Sequence, residues 1–220
     1  MWLPDRLVAQ KIKDSLGDSV IGSRILVLES TRSTNDFLRQ MLTPTLPEGL
    51  VILAEKQTAG RGQHGRRWES ASHQGLWGSL LLRPHLPLHE TERLTTWAAQ
   101  AVMAAVRMET GLLATIKWPN DVYVEERKVA GVLVETVAGR GPEFAAVVGL
   151  GVNINQELSD FPEELRARAG SLALALGRKV DRTRFAIALL TELERTRRIS
   201  FPHPSLRASA DRSAAKSPTA

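Results

Sequence analysis

Gly60-Arg61-Gly62-Gln63-His64-Gly65-Arg66-Arg67-Trp68 packs three glycines and three arginines into nine residues, with no acid before Glu69. As a string, Gly60-x-Gly62-x-x-Gly65 fits the dinucleotide-binding fingerprint, and Val51 to Ala54 before it has the look of a strand. That fingerprint needs a helix to open at its last glycine, so that the helix N-terminus meets a pyrophosphate. Here Arg66 to Gly75 follows with no apolar stripe of helical period, and Leu76-Trp77-Gly78-Ser79-Leu80-Leu81-Leu82 then reads as a buried strand. The stretch is therefore a long strand-to-strand loop. Loops of that length in a compact domain are usually functional. This reading excludes a regular βαβ series at this point and favours a mixed sheet.

Outward from the loop, elements of both periods appear. Residues 6–16 read as a short amphipathic helix and Ile25 to Glu29 as a strand. Ser33-Thr34-Asn35-Asp36 has a capping-box layout, with Ser33 as N-cap ahead of Phe37, Leu38, Met41 and Leu42. Strands are expected around 50–56 and 76–83, and a helix over Thr91 to Glu109, closed by Gly111. Strand-like pieces follow at 113–118, 121–125, 128–138 and 143–155, with a hairpin turn at Glu125-Glu126-Arg127. Helical patterns return near 161–176 and 181–194. From Arg195 the pattern fails, and 195–220 reads as a basic, disordered tail. The expected organisation is a helical lead-in over 1–24, an α/β (α+β) domain over 25–194 with a mixed, largely antiparallel sheet and packed helices, and the tail.

Composition narrows the function classes. The 220 residues are 43% hydrophobic, enough to bury a full core. No run approaches the ~18 apolar residues of a membrane span, and the N-terminus lacks a signal-peptide layout. Zero cysteines exclude disulfides and agree with a cytoplasmic protein. The net charge of +5 suggests nucleic acid until its place is found: residues 195–220 hold six basic side chains and one acid, leaving 23 of each sign elsewhere. The globular part is neutral, so no DNA partner is expected. The five histidines lack ligand spacing, so no intrinsic metal site is expected.

The loop's arginines supply fixed positive charge, and its glycines let backbone approach a ligand, a pairing suited to phosphate. Trp68 either pins the loop or offers an aromatic face to a base. Lys117-Trp118-Pro119-Asn120-Asp121 sets a cation and an acid on either side of a proline, where Lys117 and Asp121 could also be a structural pair. Lys128 stands at a strand start, and Asn153 in Gly149-Leu150-Gly151-Val152-Asn153 either satisfies backbone or touches a ligand.

Taken in order, Ser33-Thr34-Asn35, Gln57-Thr58-Ala59-Gly60-Arg61-Gly62, Gly65-Arg66-x-Trp68, Lys117-Trp118-Pro119-Asn120-Asp121, Lys128-x-x-Gly131-x-Leu133-x-Glu135 and Gly149-x-Gly151-x-Asn153 resemble biotin–protein ligases over roughly residues 25–190. The resemblance implies a catalytic domain akin to those of class II aminoacyl-tRNA synthetases. It implies a two-step reaction: biotin and MgATP give biotinyl-5′-AMP, and a lysine of the biotin carboxyl carrier protein of acetyl-CoA carboxylase then takes the biotinyl group. By resemblance Ser33, Thr34, Asn35, Gln57, Arg61, Gly62, Gln63 and Lys128 contact biotin. Gly60, Arg66, Trp68, Lys117, Asn120, Asp121 and Asn153 lie on the ATP side, with Mg²⁺ arriving on the nucleotide. Lys128, Arg61 and Arg66 carry the catalytic charge. The family also makes a homodimer plausible.

Three departures from the family's pattern stand out. Gln63 replaces an arginine that many members carry, bringing hydrogen bonds without charge. The ~25 residues before the core are too few for the winged-helix domain of repressor members. No strands after Glu194 match the small SH3-like domain that commonly ends the family, so the basic tail is expected to stand in its place, by truncation or a shifted reading frame. Rival readings are a lipoate or octanoate ligase, which the Gly-Arg-Gly loop with Lys-Trp-Pro-Asn-Asp disfavours, and a biotinyl-AMP sensor with little transfer.

Overall fold

The computed structural model of the chain describes residues 5–138 and 144–201. In chain order the elements are α1 (Ala9–Leu16), β1 (Arg24–Leu28), α2 (Thr34–Met41), β2 (Leu50–Ala54), β3 (Gly75–Leu82), α3 (Glu92–Thr110), β4 (Thr115–Lys117), β5 (Asp121–Val124), β6 (Arg127–Ala138), β7 (Phe144–Asn153), α4 (Leu172–Leu176) and α5 (Arg182–Ser200). The strands form one seven-stranded sheet in the order β1-β2-β3-β7-β6-β5-β4. β1 runs parallel to β2, and the other neighbouring pairs are antiparallel. This is the mixed, largely antiparallel sheet that the strand-loop-strand reading required.

Alternation along the central strands separates two faces. Leu76, Leu80 and Leu82 of β3, with Val148, Leu150 and Val152 of β7, join the main core under α3 and α5. Leu81 and Val147 point the other way, into a smaller cluster beneath Leu38 of α2. Beyond that cluster no helix of the described residues covers the second face. Its residues there are Ser79, Gly149, Gly151 and Gly131, in cross-strand register Ser79↔Gly149 and Gly151↔Gly131. Small side chains on that face leave room above the sheet, and the site lies there.

Local signals account for most element ends. Ser33 caps α2 by accepting from the Asp36 N–H at 3.4 Å, and α3 closes on Gly111 at φ 75°. The β5–β6 hairpin turns through Glu125 and Glu126, both at positive φ (49° and 62°), the backbone of a two-residue type I′ turn.

Two expectations are corrected. The helix expected over 161–176 is two single 3-10 turns (Leu158–Asp160 and Glu163–Leu165) followed by the five-residue α4. Pro162 and Gly170 interrupt it, and Gly170 is pressed so closely on Arg127 that an added Cβ would lie 2.9 Å from its Cβ. The chain there pairs with β6 instead: Lys128 N–H donates to Arg168 O at 2.8 Å and Gly170 N–H to Lys128 O at 3.0 Å.

The second correction concerns residues 195–201. Helix α5 does not stop at Glu194; it runs to Ser200. No apolar stripe signals this, because the last turns are held by charge. Arg195 grips Glu192 through Nη2 at 2.6 Å and Nε at 2.8 Å, and Arg198 Nε donates to Glu194 at 3.0 Å. Phe201 then packs edge-on against Trp97, with ring centroids 5.6 Å apart. The rest of the expected tail, 202–220, lies outside the described residues, as do the first four residues of the lead-in.

Burial pushes the Glu194 carboxyl up, but the Ile21 N–H and the Arg198 and Arg197 guanidinium groups outweigh it and hold its pKa below the ordinary value. A depressed carboxylate contributes stability above its unfolded pKa and loses it as pH falls through the folded one. Chemical denaturation between roughly pH 6 and 3 is expected to show a shallower acid loss in Glu194→Gln than in wild type. Equal slopes would remove Glu194 from the account.

Candidate functional site

The loop of residues 55–74, between β2 and β3, folds its tip back on itself. Gly62 N–H donates to Arg66 O at 2.7 Å and Trp68 N–H to Gly60 O at 2.9 Å, making a small hairpin around a 3-10 turn at Gln63–Gly65. Gly60 is a close-approach position rather than a pocket wall: an added Cβ would lie 2.6 Å from Trp68 O. The Trp68 ring covers the glycines of the sheet. A Cβ on Gly151 would sit 2.7 Å from its ring, and one on Gly131 2.9 Å.

Beneath the loop is a small inner pocket. The structure brings all eight residues expected on the biotin side to its wall: Ser33, Thr34 and Asn35 from the start of α2, Gln57, Arg61, Gly62 and Gln63 from the loop, and Lys128 from β6. A hydrogen-bond chain fixes their orientation. Gln57 Oε1 accepts from Thr34 N at 2.9 Å, while Gln57 Nε2 donates to Ser70 at 3.1 Å. Ser79 Oγ lies 2.6 Å from Asn35 Oδ1 and 2.7 Å from Thr34 Oγ1; its single proton serves one of them. Asn35 Nδ2 donates to Glu135 at 2.8 Å. Apart from Arg61 and Lys128 the wall is uncharged, with these polar groups set beside the apolar Trp68, Val132, Leu133 and Leu150.

A larger, open cleft adjoins the pocket. Six of the seven residues expected on the ATP side line it: Arg66, Trp68, Lys117, Asn120, Asp121 and Asn153; Gly60 lines neither cavity. The structural Lys117–Asp121 pair, the alternative to a ligand role for these residues, is not formed, although the two are cross-strand partners. Asp121 instead binds Lys128 Nζ at 2.7 Å and accepts from Asn120 Nδ2 at 2.8 Å. Lys128 Nζ also lies 5.3 Å from the Trp68 ring centroid, a cation–π distance. Asn153 is structural in this arrangement: its amide donates to Gly170 O at 3.0 Å and accepts from Gln156 at 2.9 Å.

Lys128 lines both cavities, together with Trp68, Asn120, Gly62 and Gln63. Around the cleft, Arg67 is taken by Glu69 at 2.9 Å and Lys128 by Asp121. Arg66, Lys117 and Arg168 have no acidic partner among the described residues. Sequence reasoning missed three groups here. Ser79 was findable as the one hydroxyl in the apolar run Leu76–Leu82. Glu135 stood inside a quoted motif without a role. Arg168 carries no signal, since only the pairing of its backbone with Lys128 brings it to the cleft. Among the described residues no group of three or more acidic or histidine side chains could hold a metal ion, and no helix is long and apolar enough to cross a membrane.

This architecture matches known proteins. The model of the biotin/lipoate A/B protein ligase family matches residues 27–153. A bifunctional ligase/repressor BirA of Bacillus subtilis is 38% identical over 179 residues, covering 81% of this chain and 55% of that protein. A biotin–[acetyl-CoA-carboxylase] ligase of Mycobacterium tuberculosis is 37% identical over 205 residues, covering 86% and 72%. The solved biotin protein ligase from Aquifex aeolicus in complex with biotin and ATP superposes with a TM-score of 0.67 at 32% identity, over 78% of this chain and 69% of that one. The chain thus spans about half the length of the repressor-type relative and more of the others. With the family model spanning β1 to β7 and the sheet, loop and pocket arranged as described, the chain belongs to the biotin/lipoate A/B protein ligase family.

Proposed function

We propose that the chain is a biotin–protein ligase, which joins biotin to ATP as biotinyl-5′-AMP and passes the biotinyl group to a lysine of a biotin carboxyl carrier protein. The observation that carries this reading is the position of Lys128, where a small pocket of mainly uncharged polar and apolar groups opens into a cleft with an excess of cations. The relative solved with biotin and ATP supports it.

The chemistry asks for this division. Biotin's ureido ring is uncharged and hydrogen-bonding, matched by Ser33, Thr34, Asn35 and Gln57. Sites of that kind reject analogues that leave their buried polar groups unpaired. In the first step a biotin carboxylate oxygen attacks the α-phosphorus, the bond to the bridging oxygen breaks, and pyrophosphate leaves with that electron pair. Two anions must meet, so fixed cations are the main requirement. Lys128 stands at the meeting point, Arg61 over the pocket, and Arg66, Lys117 and Arg168 along the path of the phosphates. In the second step the carrier's neutral lysine amine attacks the acyl carbon, loses a proton, and AMP departs.

Mg²⁺ bound through phosphates needs only one or two carboxylates from protein. Asp121, with the Asn120 carbonyl beside it, is the oxygen donor set that fits in the cleft. When bound, the ion would offset phosphate charge. We place the reaction in the cytoplasm, in keeping with a chain without cysteine.

The test is the intact mass of a purified biotin carboxyl carrier domain after incubation with the protein, biotin and MgATP. One biotinyl addition per carrier is expected. Formation of biotinyl-AMP with an unmodified carrier would replace ligase by sensor, and modification only with lipoate or octanoate would replace biotin.

A further inference from the structure

We infer that Glu135 is a positioning residue that latches the 60–68 loop over the pocket and fixes which end of the Asn35 amide faces it. The inference rests on the proposed biotin reading for its substrate, but its geometry stands without one.

One carboxylate gathers three donors from two directions. Glu135 Oε2 accepts from Asn35 Nδ2 at 2.8 Å and from Arg61 Nη2 at 2.9 Å. Oε1 accepts from Arg39 Nη1 at 3.1 Å and from Arg61 Nη2 at 3.1 Å. The same Arg61 nitrogen donates to Asp36 Oδ1 at 2.6 Å. Asn35 and Asp36 open α2 and Arg39 lies a turn later, while Arg61 belongs to the loop. Glu135 therefore ties loop, helix and strand β6 together, yet it lines neither cavity. Its side chain is 18% exposed, so water competes less than at a surface pair.

The amide argument follows from donor arithmetic. An asparagine side chain has one donor end and one acceptor end. With Nδ2 held by Glu135, and by Leu133 O at 3.4 Å, Oδ1 is turned to Ser79. Gly149 lies directly below, where a Cβ would be 2.5 Å from Oδ1, so the amide sits flat on the strand. Without the carboxylate only the long contact to Leu133 O at 3.4 Å still favours this orientation, since the Ser79 hydroxyl can pair with either end. Glutamine at 135 would present one acceptor and one donor, and the donor repels the guanidinium groups.

The experiment is amide hydrogen exchange of the ligand-free protein, followed by steady-state kinetics. In Glu135→Gln, exchange at Gly62 and Trp68, the two amides closing the loop tip, is expected to speed up about tenfold, with the β3 amides of Leu80 and Leu81 unchanged. The biotin KM is expected to rise about tenfold while the ATP KM holds. Glu135→Asp should recover part of both, and Glu135→Gln should add little exchange to Arg61→Gln. Unchanged loop exchange, or a rise shared by the β3 amides, would overturn the latch. A freed loop with an unmoved biotin KM would overturn the positioning role. Exchange needs no substrate, so a wild-type protein that ignores biotin would count against the proposed function and leave the latch readable.

Discussion

Lys128→Ala is expected to lower the rate of biotinyl-AMP formation by about 10²- to 10³-fold, the range found when a preorganised charge or donor is removed from a transition state. Several observations set this size. Among the described residues Lys128 is the one cation bordering both cavities, and its nitrogen is held in place by Asp121 at 2.7 Å and by the Trp68 face at 5.3 Å. A positioned cation costs no reorganisation when charge develops, whereas Arg66 and Lys117 must be gathered onto the phosphates. The biotin KM should move much less than kcat, because the neutral groups around the inner pocket remain. The fold should survive, since residue 128 pairs with 168–170 through its backbone alone. Lys128→Arg should recover only part of the rate; it keeps the charge but presents a planar fork where a point charge is held. Single-turnover formation of the adenylate, by quench and chromatography, reads the step directly. A loss below threefold would remove Lys128 from the chemistry. A tenfold rise in biotin KM at constant kcat would make it a binding group only.

Much of this site was legible because its residues announce themselves locally. Ser33 caps a helix, and the Gly-Arg-Gly run cannot open one. The missing helix after the loop and the short turn at Glu125-Glu126-Arg127 were enough to class the sheet, whereas the division of Leu76, Leu80 and Leu82 from Leu81 between two cores shows only in the fold. What stayed hidden depends on which partner each polar side chain takes, some a helical turn away and some distant in sequence. Arg195, Arg197 and Arg198 read as a solvated tail until Glu192, Glu194 and Glu48 are seen beside them. The pairing of Lys117 with Asp121 looked natural by proximity. It fails because Lys128, across the β5–β6 hairpin, reaches the same carboxylate. Asn153 read as either a backbone partner or a ligand group; its buried amide donates to Gly170 O, and the residue borders the cleft as well. The i,i+3 and i,i+4 pairs of Arg195 and Arg198 were open to a helical reading of the local window. The pairings of Arg197 with Glu48, Lys128 with Asp121 and Asn153 with Gly170 come only with the fold.

The same logic gives the largest stability effect in the molecule. Arg182→Ala is expected to cost about 3–5 kcal/mol, measured by urea denaturation. Arg182 and Glu55 have side chains 0% and 3% exposed, and Arg182 Nη1 donates to Glu55 Oε2 at 2.8 Å, with Nη2 on the same oxygen. The Leu7 N–H donates to Glu55 Oε1 at 2.7 Å, and His73 Nδ1 lies 3.2 Å from Oε2. Two effects oppose each other in such a pair. Desolvation of both ions is comparable to their attraction, so the intact pair contributes little net stability. Removing one ion leaves the other's desolvation uncompensated, and that dominates. The double variant Arg182→Leu/Glu55→Leu should therefore be less destabilised than Arg182→Ala alone, a result additive contacts cannot produce. At this chain length the single variant should melt about 6–20 °C lower. The candidate site would feel it too, because Glu55 and His73 stand at the two ends of the loop between β2 and β3, joined by His73 N–H to Glu55 O at 3.0 Å. If Arg182→Ala loses less than about 1 kcal/mol, the pair behaves as a surface bridge, and the loop's foot is anchored by backbone alone.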